Sequence, residues 1–396
     1  MREVTVRRSP RRLSAVIAVG LVAPLLAACG DSGSSDPDAS PTPSPSPSDS
    51  PTGSASGSPS ESPTADGEPR VRGAVADDLR VPWGISFLSD GSALVTERDT
   101  WKVLHLTKQG EGRSWSTTDL GVVSTDPGQG PSVEGGLLGI ATSTEAGVER
   151  VFVYVTTADD NRVLATTFDG ERLGSWKPVL TGIPRADFHD GGRIAFGPDG
   201  FLYVSTGDAG TPDLAQDEKS LAGKILRITA EGRPAPGNPF GDSPVYSIGH
   251  RNVQGLAWDD EGQLYASEFG ASSFDELNRI QAGANYGWPR VEGFADGGNT
   301  RGLTDPVAVW STDEASPSGL AWADGSFWLG ALRGERLWQV TIDGDEVDST
   351  AHFVGTYGRM RTVVAADDDG LWVTTSNHDG RGDPAARDDR ILRVRP

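Results

Sequence analysis

The sequence contains only one cysteine, Cys29, among 396 residues. A single thiol excludes an intrachain disulfide, so packing and hydrogen bonds must stabilise the fold. Positive charge is also scarce: 35 lysines and arginines stand against 56 aspartates and glutamates, which gives a formal net charge of −21. This balance argues against nucleic acid as a partner, and it means that an anionic ligand must be held by a local cluster of arginines.

The N-terminal residues have the pattern of an export signal. Four arginines between positions 7 and 12 precede the apolar run Leu13–Leu26, which leads into Ala27-Ala28-Cys29. A basic region, a short apolar core and small residues before a break predict a secretory signal peptide over residues 1–28. The apolar run is too short to favour a permanent membrane span.

Residues 29–69 predict a lipid anchor followed by a tether. Leu26-Ala27-Ala28-Cys29 resembles a bacterial lipobox, so we expect a lipid on Cys29; an incidental cysteine in a secreted protein is the alternative. The segment that follows is almost entirely Ser, Pro, Asp, Gly, Thr and Ala, and it should stay disordered. We therefore expect residues 70–396 to form an exported domain, held at the outer face of the cytoplasmic membrane by lipid alone.

Convincing amphipathic helices are lacking from residues 70–396, and short alternating strands take their place. A hairpin of two apolar strands, joined in most cases by an Asp-Gly or Glu-Gly turn, recurs six times along this region. The six units begin near Trp83, Gly136, Gly192, Gly255, Gly319 and Arg361. The pattern predicts an all-β chain folded as a six-bladed β-propeller with four-stranded antiparallel blades. Loops on one face of a propeller converge on its axis, so residues distant in sequence can share a site.

A polar pair flanks the third of these units. His189 comes just before its first strand, and Asp208 follows its second strand, Phe201–Ser205. The two ends of an antiparallel hairpin are neighbours, so the imidazole and the carboxylate should meet. A carboxylate that orients a histidine is a common general-base arrangement, although a surface contact is the simpler alternative.

Seven motifs then follow one another in register along the domain. They are Val81-Pro82-Trp83-Gly84, Glu134-Gly135-Gly136-Leu137-Leu138-Gly139, His189-Asp190-Gly191-Gly192-Arg193, Ser205-Thr206-Gly207-Asp208-Ala209-Gly210, Gly249-His250-Arg251-Asn252-Val253-Gln254-Gly255-Leu256, Asp275-Glu276-Leu277-Asn278 and Asn285-Tyr286-Gly287-Trp288-Pro289. Together they resemble the soluble glucose and aldose sugar dehydrogenases that depend on pyrroloquinoline quinone (PQQ), also called the glucose/sorbosone dehydrogenase family. The resemblance runs from about residue 75 to the end of the chain.

The resemblance implies oxidation of a sugar at its anomeric carbon to a lactone, with hydride transfer to PQQ. His189 would remove the proton of the anomeric hydroxyl, Asp208 would orient His189, and Arg251 would stabilise the negative charge forming on the quinone. These roles agree with general chemistry, because hydride transfer needs a base at the hydroxyl and a positive charge at the acceptor.

The resemblance also implies a set of cofactor contacts. Arg333, Arg359 and Arg361 would bind the three PQQ carboxylates, for which the planar guanidinium is well shaped. Arg359 and Arg361, at positions i and i+2, should lie on one side of a strand; a solvated strand edge is the alternative. Further contacts are expected from Glu134, Asn252 and Gln254, and Trp310 would add an aromatic wall.

Calcium is the second cofactor that the resemblance implies. The main-chain carbonyls of Gly270 and Ala271 would hold a calcium ion that clamps the quinone, and calcium accepts backbone oxygens readily. A second, structural calcium would bind Glu276 and the carbonyl of Tyr286; a solvated hairpin is the alternative for Glu276.

Two other functions remain open at this stage. A calcium-dependent lactonase on a similar propeller would use the metal and carboxylates without needing three converging arginines. A membrane-tethered, non-catalytic carbohydrate-binding propeller would not need His189, Asp208 and Arg251 together. The sequence does not identify the sugar or the electron acceptor.

Overall fold

The computed structural model describes residues 68–110, 114–125, 128–130, 132–295, 301–366 and 370–396. The predicted signal peptide, Cys29 and residues 30–67 of the predicted tether lie outside these ranges. No helix within the described residues is both long enough and apolar enough to cross a membrane. The helix that is described is one short 3-10 turn, Pro212–Gln216.

The described residues form 24 strands. The first twelve are β1 (Arg70–Ala76), β2 (Pro82–Phe87), β3 (Ala93–Glu97), β4 (Lys102–Gln109), β5 (Ser114–Val122), β6 (Leu137–Glu145), β7 (Val148–Thr156), β8 (Asn161–Phe168), β9 (Lys177–Ile183), β10 (Ile194–Phe196), β11 (Leu202–Ser205) and β12 (Lys224–Ile228). The others are β13 (Val245–Ile248), β14 (Val253–Trp258), β15 (Leu264–Glu268), β16 (Phe274–Arg279), β17 (Ala308–Ser311), β18 (Pro317–Ala323), β19 (Ser326–Ala331), β20 (Arg336–Asp343), β21 (Glu346–His352), β22 (Met360–Ala366), β23 (Gly370–Thr375) and β24 (Ile391–Arg395).

These strands make six four-stranded antiparallel sheets, which are the blades of the predicted six-bladed propeller. Blades 1 to 5 use consecutive strands in order, from β2–β5 to β18–β21. The first strands of the blades contact one another around the ring: β2 contacts β6, β14 contacts β18, and β22 contacts β2. The prediction of fold class is confirmed.

Burial explains why the second strand of a blade is so apolar. In β3, β11, β15, β19 and β23 every residue is buried. Neighbouring blades cover such a strand on both faces, so it needs a continuous rather than an alternating apolar pattern. The outermost strands β5, β9 and β21 face solvent on one side and are correspondingly mixed.

The sixth blade is closed by the N-terminal end of the domain. Its sheet has the order β1-β24-β23-β22, and Arg70 lies opposite Arg395 in the antiparallel pair of β1 and β24. The first strand of the domain therefore completes the blade that contains the last strand. The repeats alone do not predict this closure, because β1 precedes the first repeat.

Candidate active site

One face of the propeller carries a cavity of about 480 Å³. This volume is in the usual range for a small-molecule site. Each blade contributes a charged or titratable side chain to its wall: Arg98, Glu134, His189, Arg251, Arg333 and Arg361. The structure thus brings together residues that are up to about 260 positions apart in the sequence.

Ten of the predicted site residues line this cavity. They are His189, Arg251, Glu134, Asn252, Gln254, Arg333, Arg359, Arg361, Gly270 and Ala271. Asp208 lies behind His189, while Glu276 and Tyr286 are buried away from the cavity wall. The predicted site residues therefore fall into two groups: those that line the cavity, and a smaller number that lie behind its wall.

The predicted contact between His189 and Asp208 is present. Nδ1 of His189 lies 2.7 Å from Oδ1 of Asp208, which is completely buried. The other carboxylate oxygen accepts the indole N–H of Trp288 at 2.8 Å. Asp208 thus holds one imidazole nitrogen, and His189 turns the opposite edge of its ring toward the cavity.

The backbone around this pair is unusually close-packed. His189 has φ +62°, a left-handed conformation that is uncommon for a residue with a side chain. Its carbonyl accepts the N–H of Ala209 at 3.2 Å. A Cβ atom on Gly207 would lie 1.9 Å from the same carbonyl oxygen. Only glycine at position 207 therefore allows the two ends of the hairpin to approach closely enough for Asp208 to reach the imidazole.

Arg251 reaches the cavity as an incompletely paired cation. Its Nη1 donates to the carbonyl of Phe269 at 3.2 Å, but its buried Nε has no hydrogen-bond partner among the described residues. Burial lowers the pKa of the Arg251 guanidinium, while Asp208 and Glu268 act in the opposite direction. Because Arg251 lines the cavity, its guanidinium can offer positive charge and N–H donors to a ligand that accepts hydrogen bonds.

The loop of Arg251 is supported from behind by its neighbour His250. Nδ1 of His250 lies 2.8 Å from Oε2 of Glu268, and Nε2 lies 2.8 Å from the hydroxyl of Ser247. Glu268 also accepts the backbone N–H of Arg251 through its other oxygen. His250 is therefore a structural residue of this loop, in agreement with its place in the sequence motif.

Arg359 and Arg361 share one carboxylate. Oδ2 of Asp379 lies 2.9 Å from Nε of Arg359 and 3.3 Å from Nη2 of Arg361. Burial alone would raise the pKa of Asp379, but Arg361 and Arg359 more than offset this and lower it. Two guanidinium groups facing one carboxylate leave a net positive charge at this end of the cavity.

The remaining predicted cofactor residues differ in exposure. Arg333 lies on the rim, largely exposed, and pairs with Asp313 at 2.6 Å. Gln254 is buried, and its Oε1 accepts hydrogen bonds from Ser318 and Arg361. Oδ1 of Asn252 accepts the N–H of Gly191 at 3.0 Å. With their amide oxygens engaged, both amides keep N–H donors for a ligand.

The segment predicted to bind calcium turns its N–H groups toward carboxylates. Gly270 donates to Asp275 at 2.8 Å, and Oε1 of Glu292 accepts the N–H groups of residues 271 to 274 at 2.7 to 3.1 Å. In a trans peptide the carbonyl points opposite to the next N–H, so the carbonyls of Gly270 and Ala271 point away from Glu292. Burial raises the pKa of Asp275 to about 6.

Glu276 and Tyr286 approach the His250–Glu268 pair from two sides. Nδ2 of Asn278 bridges Glu276 at 3.0 Å and Glu268 at 3.2 Å, and Tyr286 stacks on His250. Burial and the nearby Glu268 raise the pKa of Glu276 to about 8. Oδ1 of Asn278 is buried and has no partner among the described residues. Two buried carboxylates beside an unpaired amide oxygen are a suitable environment for a cation.

A metal site made of side chains alone would need several ligating groups close together. Within the described ranges, no group of three or more His, Cys, Asp and Glu residues is arranged to hold a metal ion.

One sequence-based expectation is wrong. Trp310 was expected to form an aromatic wall of the cofactor site, but it is buried within blade 4, beside Trp338 in blade 5. It is not among the cavity-lining residues; Thr312 and Ser316, which follow it, are. The strand β17 ends just before the loop reaches the cavity, so the ring packs between blades instead.

Four charged residues of the site were missed by the sequence analysis. They are Arg98, Asp275, Asp379 and Arg381. Arg98 and Asp379 come directly or shortly after the second strand of a blade, as Asp208, Gly270 and Arg333 do. Four of these five residues line the cavity and Asp208 lies just behind it, so position in the repeat was an available signal.

The fold and site agree with a known family. Residues 79–392 match the family model described as Glucose / Sorbosone dehydrogenase. The chain belongs to this family. Among solved structures, this glucose/sorbosone dehydrogenase family member is similar to the PQQ-bound aldose sugar dehydrogenase of Streptomyces coelicolor. The identity is 52%, the match covers 84% of this chain and 99% of the relative, and the TM-score is 0.78.

Two characterised relatives show the same relationship at lower identity. The aldose sugar dehydrogenase of Escherichia coli K12 is 28% identical over 339 residues, which cover 77% of this chain and 89% of the relative. Quinoprotein glucose dehydrogenase B of Acinetobacter calcoaceticus is 29% identical over 258 residues, which cover 56% of this chain and 53% of the relative. The protein is an oxidoreductase of this dehydrogenase family, as the resemblance implies.

Proposed function

We propose that this family member oxidises an aldose sugar at its anomeric carbon to the lactone, using PQQ and calcium. The observation that carries the proposal is a single cavity that holds both the His189–Asp208 pair and the incompletely paired Arg251. Hydride transfer from an alcohol needs these two functions, a base and a fixed positive charge, within reach of one bound substrate.

His189 acts as the general base. Because Nδ1 is held by Asp208, the other ring nitrogen accepts the proton of the anomeric hydroxyl. The buried carboxylate then stabilises the imidazolium ion that forms. When bound, PQQ supplies the electrophilic carbon that receives the hydride. Arg251 offers its guanidinium to the negative charge that develops there.

The residues present fit an anionic cofactor. Arg359 and Arg361 together carry more positive charge than Asp379 neutralises, and Arg333 adds a guanidinium at the rim. The donors of Asn252 and Gln254 line the wall between them. The PQQ-bound Streptomyces coelicolor relative supports this choice of cofactor.

Calcium would occupy two positions. In the cavity it would bind the carbonyls of Gly270 and Ala271, which point away from Glu292. The second ion would bind near Glu276 and Tyr286, where it would relieve the repulsion between two buried carboxylates. Both assignments rest on backbone and carboxylate oxygens, which are the ligands that calcium prefers.

We also propose that the mature protein is anchored by a lipid on Cys29. The lipobox-like sequence before a Ser- and Pro-rich stretch supports this. Cys29→Ser should release the domain into the medium or stall processing. A wild-type protein that fractionates as soluble, and whose mass shows no lipid, would exclude the anchor.

Stopped-flow reduction of preloaded cofactor by excess sugar tests the activity. Wild-type protein should bleach the oxidised quinone rapidly. His189→Gln should retain the cofactor but lose on the order of a hundred- to ten-thousand-fold in rate, since that is the usual contribution of a general base. Asp208→Asn should be impaired less, because the base remains. A His189→Gln variant that reduces its cofactor at the wild-type rate would refute the assignment.

Lactone hydrolysis, assayed with calcium and without PQQ, separates the competing lactonase function. We expect none. Hydrolysis at an enzymatic rate, together with no PQQ-dependent sugar oxidation, would favour the lactonase instead.

A further inference from the structure

Glu134 and Arg381 form an ion pair at the mouth of the cavity. Oε1 of Glu134 accepts from Nη1 of Arg381 at 2.9 Å, and Oε2 accepts the backbone N–H of His189 at 3.1 Å. The pair joins the loop before β6 in blade 2 to the loop between β23 and β24 in blade 6. The Glu134 side chain is 19% exposed and that of Arg381 56%. The carboxylate thus faces the general base on one side and a rim arginine on the other.

The contact with Glu134 acts on a strained part of the chain. His189 adopts φ +62°, which for a residue with a side chain costs roughly 1 kcal/mol. Its N–H is held by Glu134 and its C=O by the N–H of Ala209. Both peptide groups of the base are therefore fixed, and with them the direction of its imidazole. Of these two backbone hydrogen bonds, the one to Glu134 comes from another blade.

Four charged groups contact His189 or share its cavity. Asp208 binds the imidazole directly, Glu134 accepts the backbone N–H, and Arg251 and Arg381 line the same cavity. A nearby carboxylate favours the protonated imidazole, and a nearby guanidinium disfavours it. Arg381 touches Glu134, so its charge mainly offsets that of Glu134.

We propose that Glu134 is a positioning residue for His189 and that Arg381 regulates how strongly the charge of Glu134 acts on the imidazole. The inference rests on the proposed function, since it takes His189 as the base. The sequence led us to expect only a cofactor contact from Glu134. Both of its carboxylate oxygens accept hydrogen bonds within the protein, so the proposal gives this residue a further role.

The test compares the pH dependence of kcat/KM in charge variants of the full-length, PQQ- and calcium-loaded protein. Glu134→Gln removes the charge but keeps an oxygen that can accept the His189 N–H. Its acidic limb should move to lower pH by about half a pH unit. Arg381→Gln should move the limb in the opposite direction. The double variant loses both opposite charges, so its acidic limb should lie between those of the two single variants.

A matched control comes from the same loop as Arg381. Arg387 is also exposed and pairs with a carboxylate, that of Asp77. Arg387→Gln makes the same change of charge away from His189 and should leave the profile in place. The proposal would be overturned if the acidic limb moved in the same direction in Glu134→Gln and Arg381→Gln. It would also be overturned if neither limb moved further than that of Arg387→Gln.

The positioning role has a separate signature in the rate. Glu134→Ala removes the acceptor as well as the charge, so kcat should fall by about tenfold or more. At a pH where His189 is neutral, the kcat of Glu134→Gln should be much closer to that of the wild type than the kcat of Glu134→Ala is. Equal kcat values for the Ala and Gln variants would overturn the positioning role.

An NMR titration distinguishes failure of this proposal from failure of the proposed function. The chain has only five histidines, so isotope-labelled imidazole signals are few, and His189→Gln identifies the relevant one. In the protein without PQQ, the midpoint of that signal should move in opposite directions in the Glu134 and Arg381 variants. Unmoved midpoints overturn the proposal. If the midpoints shift in opposite directions but the protein does not oxidise sugar, the proposal on Glu134 and Arg381 is upheld. The assignment of His189 as the base is then rejected.

Discussion

The arginines of the cavity differ in how completely the protein pairs them. Arg333 has its own carboxylate, Arg359 and Arg361 share one, and the Nε of Arg251 has no partner in the described chain. Arginines that share a carboxylate suit the binding of a carboxylated cofactor. An incompletely paired arginine in the same cavity as His189, the proposed base, suits charge that appears only during the reaction.

Alanine substitution of Arg359 and Arg361 should therefore weaken cofactor binding without slowing the bound enzyme. Such contacts act equally before and during the reaction, so they contribute to affinity and not to rate. We expect the PQQ concentration for half-saturation to rise at least about tenfold in the double variant. The rate at saturation should approach that of the wild type. An absorbance titration measures both quantities, and unchanged affinity would remove these arginines from the site.

Glu276 predicts how stability depends on pH when calcium is removed. Its pKa, near 4.5 in the unfolded chain, is raised to about 8 by burial and by Glu268. The folded state then binds a proton that the unfolded state has lost. Between about pH 5 and pH 8 this carboxyl therefore lowers the free energy of unfolding as pH rises, by roughly 2–4 kcal/mol in all.

Melting temperatures in chelator across this pH range test the assignment. The decline should be smaller in Glu276→Gln, which resembles the protonated acid at every pH. Added calcium should raise the melting temperature of the wild type most near pH 8 and should have a smaller effect on the variant, which keeps only the cavity site. Identical pH profiles for the two proteins in chelator would show that Glu276 does not titrate in this way.

At the level of elements, the β10–β11 hairpin depends on Gly207. A methyl group there would collide with the carbonyl of His189, so Gly207→Ala should displace the base. We expect a loss of about 1–3 kcal/mol in stability and of most activity. Gly344→Ala is the control, because its Cβ would meet no atom within 4 Å. It should cost about 1 kcal/mol for its φ of +62° and leave activity intact. Equal activity in the two variants would contradict this account.

The same hairpin shows what the sequence was able to predict. The turn between β10 and β11 pairs Ile194 with Val204, and this local register places His189 and Asp208 at one rim. By contrast, Glu134 and Arg381 are 247 positions apart, and no pattern near either residue indicates the other. Local pairing could thus be inferred from turns and strand lengths. Contacts between blades depend on the ring geometry and could not be inferred, nor could the burial of Trp310.

At the scale of the whole molecule, β1 is required to close the ring. Val71 and Ala74 pair with Val394 and Leu392, and the side chains of Val71, Val394 and Leu392 contribute to the core of the sixth blade. A variant that begins at Glu68 should keep the wild-type melting temperature. One that begins at Asp78 lacks β1 and should melt about 5–15 °C lower. Calorimetry distinguishes the two, and equal melting temperatures would show that β1 is dispensable.

The pairing of β1 with β24 also has a consequence for synthesis. Among the described strands, a ribosome makes β1 first and its partner β24 after all the others, so the paired residues Arg70 and Arg395 are about 325 positions apart. A premature stop before Ile391 would leave both β1 and β23 with unpaired strand edges, which are surfaces through which chains aggregate. A stop codon at Ile391 should therefore be as damaging as an early one, even though it removes no residue of the cavity.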